Sequence, residues 1–126
     1  MSIAKIKTNG KRNRTAGNSF EGYCKRLFHE HGYPHVVTTR SESRSRDAKK
    51  IDLMNKEEVV NGQLPFATQC KSYARKIDYP ELLKSIDSPL IKVIMHRFTQ
   101  KKGTRFFTEG EYAILKLEDF FKLIQK

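Results

Sequence analysis

Between Ile51 and Lys71 the chain sets two short β-prone segments, Ile51-Asp52-Leu53-Met54 and Phe66-Ala67-Thr68-Gln69-Cys70-Lys71, on either side of a turn-rich connection through Asn61-Gly62. Side chains alternate between the two faces of a strand, so Gln69 and Lys71 project together while Thr68 and Cys70 point away. On the first segment Ile51 and Leu53 share one face and Asp52 takes the other. An acid in the middle of a short apolar strand is costly unless it binds something. An acid, an amide oxygen and an ammonium gathered on one side of a sheet are what a metal-dependent phosphodiesterase needs: oxygen ligands for a hard cation and a positive group beside the attacked phosphate.

The rest of the chain builds an α/β layer around that hairpin. A helix starts at Asn18 or Ser19, either of which can cap it; Phe20, Cys24, Leu27, Phe28 and His31 recur at helical spacing, and Gly32 stops it. Glu21 borders this stripe and looks along the core edge towards the sheet. Taken alone, it reads first as a first-turn acid favoured by the helix dipole or an i,i+4 partner of Lys25, and only second as a catalytic group. Pro34 to Thr39 reads as the first strand, with Val36 and Val37 β-branched. After Phe66 to Ser72, Asp78-Tyr79-Pro80-Glu81 opens a second helix with Leu82, Leu83 and Ile86 as its apolar face, ended by Ser88-Pro89. Leu90 to Phe98 reads as a largely buried strand, Arg105 to Thr108 as its hairpin partner, and Tyr112 to Leu115 as a last short strand. Leu117, Phe120, Phe121 and Ile124 then make the i, i+3, i+4, i+7 stripe of a closing helix; this helix and the Leu90 to Phe98 strand are candidate dimer surfaces, read first as core. The order gives an α/β fold with a central mixed β-sheet flanked by helices.

Charge narrows the partner. Lys+Arg number 25 against 14 Asp+Glu, a net charge of +11, which favours a polyanion: nucleic acid first, an anionic membrane second. The 126 residues suit one domain, placed at 17–126, preceded by a basic flexible arm at 1–16. That arm carries Lys5, Lys7, Lys11, Arg12 and Arg14 with no acid, and reads equally as a phosphate-contacting tail or a solvated terminus. Arg40 to Lys50 is too polar for a core; Arg40, Arg44, Arg46 and Lys49, with Ser41, Ser43 and Ser45, can donate hydrogen bonds to a phosphate backbone. No apolar run approaches a membrane span and no signal peptide is visible, so a soluble, cytoplasmic protein is expected. Cys24 and Cys70 read as small core residues. His29 and His31, two apart on a helix, diverge and cannot share a metal, and His35 and His96 read as structural strand residues.

Glu21 on the first helix, Asp52 on a strand, then Gln69-x-Lys71 across a hairpin and a following helix: this order resembles the PD-(D/E)XK nuclease superfamily, and within it the small Holliday-junction resolvases of archaea and their viral relatives. The resemblance covers roughly residues 17 to 87. It implies a restriction-endonuclease-like core, Glu21, Asp52 and Gln69 at metal-ligand positions, Lys71 as the catalytic lysine, and one of Ser41, Ser43 or Ser45 at a functional loop-serine position. Magnesium is the implied cofactor, with manganese as a substitute. The sequence departs from the usual pattern at Ile51, where proline is common, and at Gln69, where Glu is usual; a neutral amide binds magnesium less strongly than a carboxylate.

Three readings follow. The first is a structure-selective DNA endonuclease acting on four-way junctions by paired nicks, whose two-fold substrate suits a homodimer; its small size and basic character lean towards a phage source. The second is a restriction- or repair-type nuclease of the same fold acting on duplex DNA. The third is a non-catalytic basic nucleic-acid-binding module.

Overall fold

A computed structural model describes residues 19–39, 50–55, 64–73 and 77–125. Residues 19–30 are helical (α1), and their C-terminus shows why Gly32 is required. Gly32 takes φ +98°, its N–H reaches His29 O, and the N–H of Tyr33 donates to Phe28 O at 2.9 Å. This is a Schellman closure, and the apolar contact that accompanies such caps is the edge-on Phe28–Tyr33 pair at 6.5 Å.

Five strands follow: β1 (Val36–Thr38), β2 (Leu53–Asn55), β3 (Phe66–Tyr73), β4 (Ile91–Lys102) and β5 (Arg105–Ile114). They form one mixed sheet in the order β1-β2-β3-β4-β5, antiparallel except for the parallel β3–β4 pair. A parallel pair needs a crossover. Helix α2 (Tyr79–Ser85) supplies it, capped by Asp78, whose side chain accepts from Glu81 N at 3.2 Å, with Pro80 in the first turn. Between β2 and β3 the Asn55 side chain acts as a surrogate strand. Its Oδ1 accepts from Leu64 N at 2.8 Å and its Nδ2 donates to Leu64 O at 3.0 Å, which closes the hairpin over a buried leucine.

The core divides between the two faces of the sheet. Phe20, Cys24, Val36, Leu53, Leu64 and Cys70 pack together under α1, with Tyr23, Phe28, Tyr33, Phe66 and Met95 at the margin. Ile51, Ala67 and Ile86 form a smaller cluster with the end of α2. The expected shared face of Ile51 and Leu53 is therefore corrected. β2 starts only at Leu53, so strand alternation does not extend back to Ile51, and the two residues enter different clusters.

Other expectations shift for related reasons. The first strand is three residues long rather than six, and His35 lies before it, exposed. α2 ends at Ser85, three residues before Ser88-Pro89, because Ile86 is extended. β4 runs on to Lys102, and the two short strands expected after it are one, Arg105–Ile114; a bulge opposite Phe98/Thr99 lets the pairing continue through Glu109. The closing helix α3 (Leu117–Ile124) exists but buries nothing. Its polar flank, Lys116, Glu118 and Asp119, faces a cleft lined by Leu83, Pro89 and Leu90. The apolar stripe is thereby turned outward, with Leu117 72% and Phe121 55% exposed. No helix among the described residues is long and apolar enough to cross a membrane.

Candidate active site

Asp52 stands where the chain enters β2, and three hydrogen bonds fix it there. Its N–H donates to Thr68 O at 2.8 Å, its carbonyl accepts from Thr39 N at 2.9 Å, and its carboxylate Oδ2 accepts from Cys70 N at 2.7 Å. Thr39, fully buried, braces the same turn by donating from Oγ1 to Ile51 O at 2.6 Å. The carboxylate is buried, so its charge is only weakly screened by water. Thr39 is a supporting residue that sequence reasoning missed, because a threonine at a strand end carries no signal for a bond to a residue twelve positions on.

The alternation along β3 is as expected. Gln69 pairs in register with Ile94 and Lys71 with His96, on the face opposite Cys70. Gln69 is buried, and its Oε1 has no hydrogen-bond partner among the described residues. Thr68 Oγ1 and His96 Nε2 are in the same state. What sets Gln69 apart is the Asp52 carboxylate, bonded to the backbone of the very next residue. Lys71 is half-buried, with Nζ 5.7 Å from the centre of the Tyr73 ring.

Glu21 reaches this neighbourhood from the other side of the sheet. It lies one turn before Cys24 on α1, and Cys24 meets the Cys70 side chain in the core. The Cys70 thiol is pushed well up, first by its hydrogen bond with Cys24, then by burial, and further by the negative charges of Asp52 and Glu21. Both carboxylates thus act on one sulfur, which stays protonated and is no nucleophile. Asp52, Gln69 and Glu21 offer an all-oxygen donor set, which suits a hard cation such as magnesium. Among the described residues no three His, Cys, Asp or Glu side chains form a metal-holding group. The Gln69 amide oxygen, unsatisfied among those residues, is a further oxygen donor next in sequence to the residue that anchors Asp52.

Beside Lys71 lies a group the sequence did not single out for this site. His96 is fully buried, stacked on Phe98 at 3.9 Å, and its Nδ1 accepts from the Tyr79 hydroxyl at 2.8 Å. Burial lowers the His96 pKa, partly offset by the Tyr73 backbone, and burial also raises that of Tyr79, so both stay neutral. Between the lowered folded value and the unfolded value of about 6.5 the unfolded chain binds the proton and the folded chain does not. Stability is therefore fully present above about pH 6.5 and declines as pH falls through that window. His96→Asn, which keeps an acceptor for Tyr79 but does not titrate, is expected to flatten the melting-temperature profile below about pH 6.5. Parallel profiles for the two proteins would show that His96 is not the group responsible.

The two histidines of the first helical segment and its cap are occupied by backbone, His29 Nε2 with Val36 O and His31 Nδ1 with Leu27 O, both at 2.7 Å. Neither faces the other, as their spacing required. The expected phosphate contacts Lys11, Arg12, Arg14, Arg40, Ser41, Ser43, Arg44, Ser45, Arg46 and Lys49 lie outside the described residues, as does the 1–16 arm.

A family model described as restriction endonuclease matches residues 12–104. No curated protein and no solved structure matches the chain.

Proposed function

The chain belongs to the restriction endonuclease family of the PD-(D/E)XK superfamily and is a nuclease, and from this premise we propose that it is a magnesium-dependent endodeoxyribonuclease that resolves four-way DNA junctions by paired nicks. The observation that carries the metal dependence is the buried, unsatisfied Gln69 Oε1 next in sequence to the residue whose N–H holds the Asp52 carboxylate. Asp52, Gln69 and Glu21 would hold the cation; manganese can substitute because it accepts the same oxygen donors. When bound, such a cation lowers the pKa of a water and neutralises charge on the phosphate. Lys71, on the Gln69 side of β3, orients that water or donates to the phosphoryl oxygens as charge builds on them. Asp52, held by three backbone partners, loses little freedom on engaging the reaction, and its fixed position is its contribution.

Selectivity for a junction rests on the small basic chain and its resemblance to the compact resolvases. A two-fold substrate calls for two sites, and the outward stripe of α3 offers a self-complementary surface for a homodimer. The protein then acts in the cytoplasm of its host, where branched DNA arises. The family description favours, as a second reading, cleavage of ordinary duplex DNA.

The two separate in one experiment. A labelled four-way junction and a linear duplex of matching sequence are incubated with the protein in magnesium or in EDTA. Symmetric nicks confined to the junction and abolished by EDTA are expected. Equal cutting of both substrates would replace the junction reading with the duplex one, and cutting in EDTA would remove the metal.

A further inference from the structure

Among the described residues β3 pairs with β4 as far as Tyr73 and Phe98, and beyond that point β4 and β5 continue together as a two-stranded ribbon, with Thr99 opposite Thr108 and Lys102 opposite Arg105. The ribbon turns at Gly103, whose φ of +65° suits a tight hairpin. A ribbon with no third strand is marginal in water, and apolar residues on it have nothing of the sheet to pack against. This one nonetheless carries Phe106 at 64% and Phe107 at 48% exposure. Between Thr99 and Thr108 it also holds three cations, Lys101, Lys102 and Arg105, and no acid.

Alternation sorts these groups by face. On β4, His96, Phe98, Gln100 and Lys102 succeed one another on the side of the sheet that bears Lys71, since Lys71 pairs with His96. Opposite them on β5 come Tyr112, then, past the bulge, Phe107 and Arg105. The reverse face takes Lys101 and Phe106, with the Lys101 ammonium 5.8 Å from the Phe106 ring centre. The Lys71 face is thus prolonged by an aromatic ring and ends in two cations. Lys102 lies six positions beyond His96, a run of about 20 Å at strand rise.

We infer that this ribbon is a DNA-binding arm: Lys102 and Arg105 hold backbone phosphates about 20 Å from the cleaved one, and Phe107 stacks on a base left unstacked at a branch or an end. Charge complementarity selects the partner, because three cations without an acid match a polyanion and repel a basic copy of the same chain. The exposed ring answers a need that intact duplex does not present, since paired bases are already stacked on their neighbours. The inference deepens the nuclease reading and rests on it for the position of the cleaved phosphate.

The test uses the full chain carrying Asp52→Asn, which keeps an acceptor for Cys70 N and blocks cleavage, with fluorescein-labelled four-way junction, linear duplex and single strand followed by anisotropy. Phe107→Ala is expected to weaken junction and single-strand binding about tenfold and duplex binding far less. Lys102→Ala with Arg105→Ala is expected to weaken all three and to reduce the slope of log affinity against log salt on duplex by about 2. Phe106→Ala, on the reverse face, is the control that should leave affinity nearly unchanged, and melting temperatures establish that every variant is folded. Variants that bind as tightly as the parent while the parent still prefers junctions would overturn the ribbon and leave the nuclease reading intact. Equal parental affinity for junction and duplex, with both still weakened by the cation pair, would support the ribbon and remove junction selectivity. A change in sedimentation without a change in DNA affinity would overturn the inference by making the ribbon a self-association surface.

Discussion

With Asp52 replaced by Asn, single-turnover cleavage of DNA in magnesium is expected to fall by about 10³-fold or more, several kcal/mol of barrier, while DNA binding persists or tightens. The separation follows from how Asp52 is held. Two of the hydrogen bonds described above are made by its own backbone and are untouched by the substitution, and the one from Cys70 N can be accepted by an asparagine carbonyl oxygen. The turn into β2 is therefore kept and only the charge is lost. Removing a negative charge from the site lowers repulsion of phosphate, which is why binding should not suffer. Lys71→Ala gives the complementary pattern: a loss of about 10²- to 10³-fold in rate, expected of one removed electrostatic donor, with the fold intact because Lys71 is only half-buried. Cleavage at the parental rate by both variants would place the chemistry elsewhere in the chain.

Much of the hairpin from Ile51 to Lys71 was readable because alternation on a strand is a matter of geometry. Gln69 and Lys71 had to share a face, and Cys70 had to enter the core, where it meets Phe20 and Cys24. The cap at Asp78 and the stop at Gly32 were readable for the same reason, each being a local solution to unpaired backbone groups. Alternation says nothing about which side of a strand will find a neighbour. That is why Phe106, Phe107 and Tyr112 on β5, and the whole stripe of α3, could be recognised as patterned but not as exposed. Nor does it signal where a strand begins, so Ile51 was placed on the wrong face. The bond between Tyr79 and His96, seventeen residues apart, belongs to tertiary packing alone: only the β3–β4 crossover brings the first turn of α2 over the middle of β4.

Phe20→Ala is expected to cost about 3–5 kcal/mol of stability, a large share of the roughly 5–15 kcal/mol that holds a domain of this size together. Phe20 is 2% exposed and belongs to the cluster that joins α1 to β1, β2 and β3. Its ring lies 6.2 Å from that of Tyr23 and carries the Arg97 guanidinium at 4.6 Å. Arg97 is itself bound to Glu111, through Nε at 2.9 Å, so removing the ring also strips one wall from an ion pair that ties β4 to β5. The loss should appear in urea unfolding as a lower midpoint with an unchanged slope. Because Glu21 is the next residue along α1, the same substitution should depress cleavage even at temperatures where the variant remains folded. Phe20→Leu, which restores most of the apolar volume, should recover the greater part of both effects. A loss below about 1 kcal/mol would mean that α1 can detach without unfolding the sheet. Glu21 would then come from an element that is not rigidly held, and its position against the sheet would have to be fixed by substrate instead.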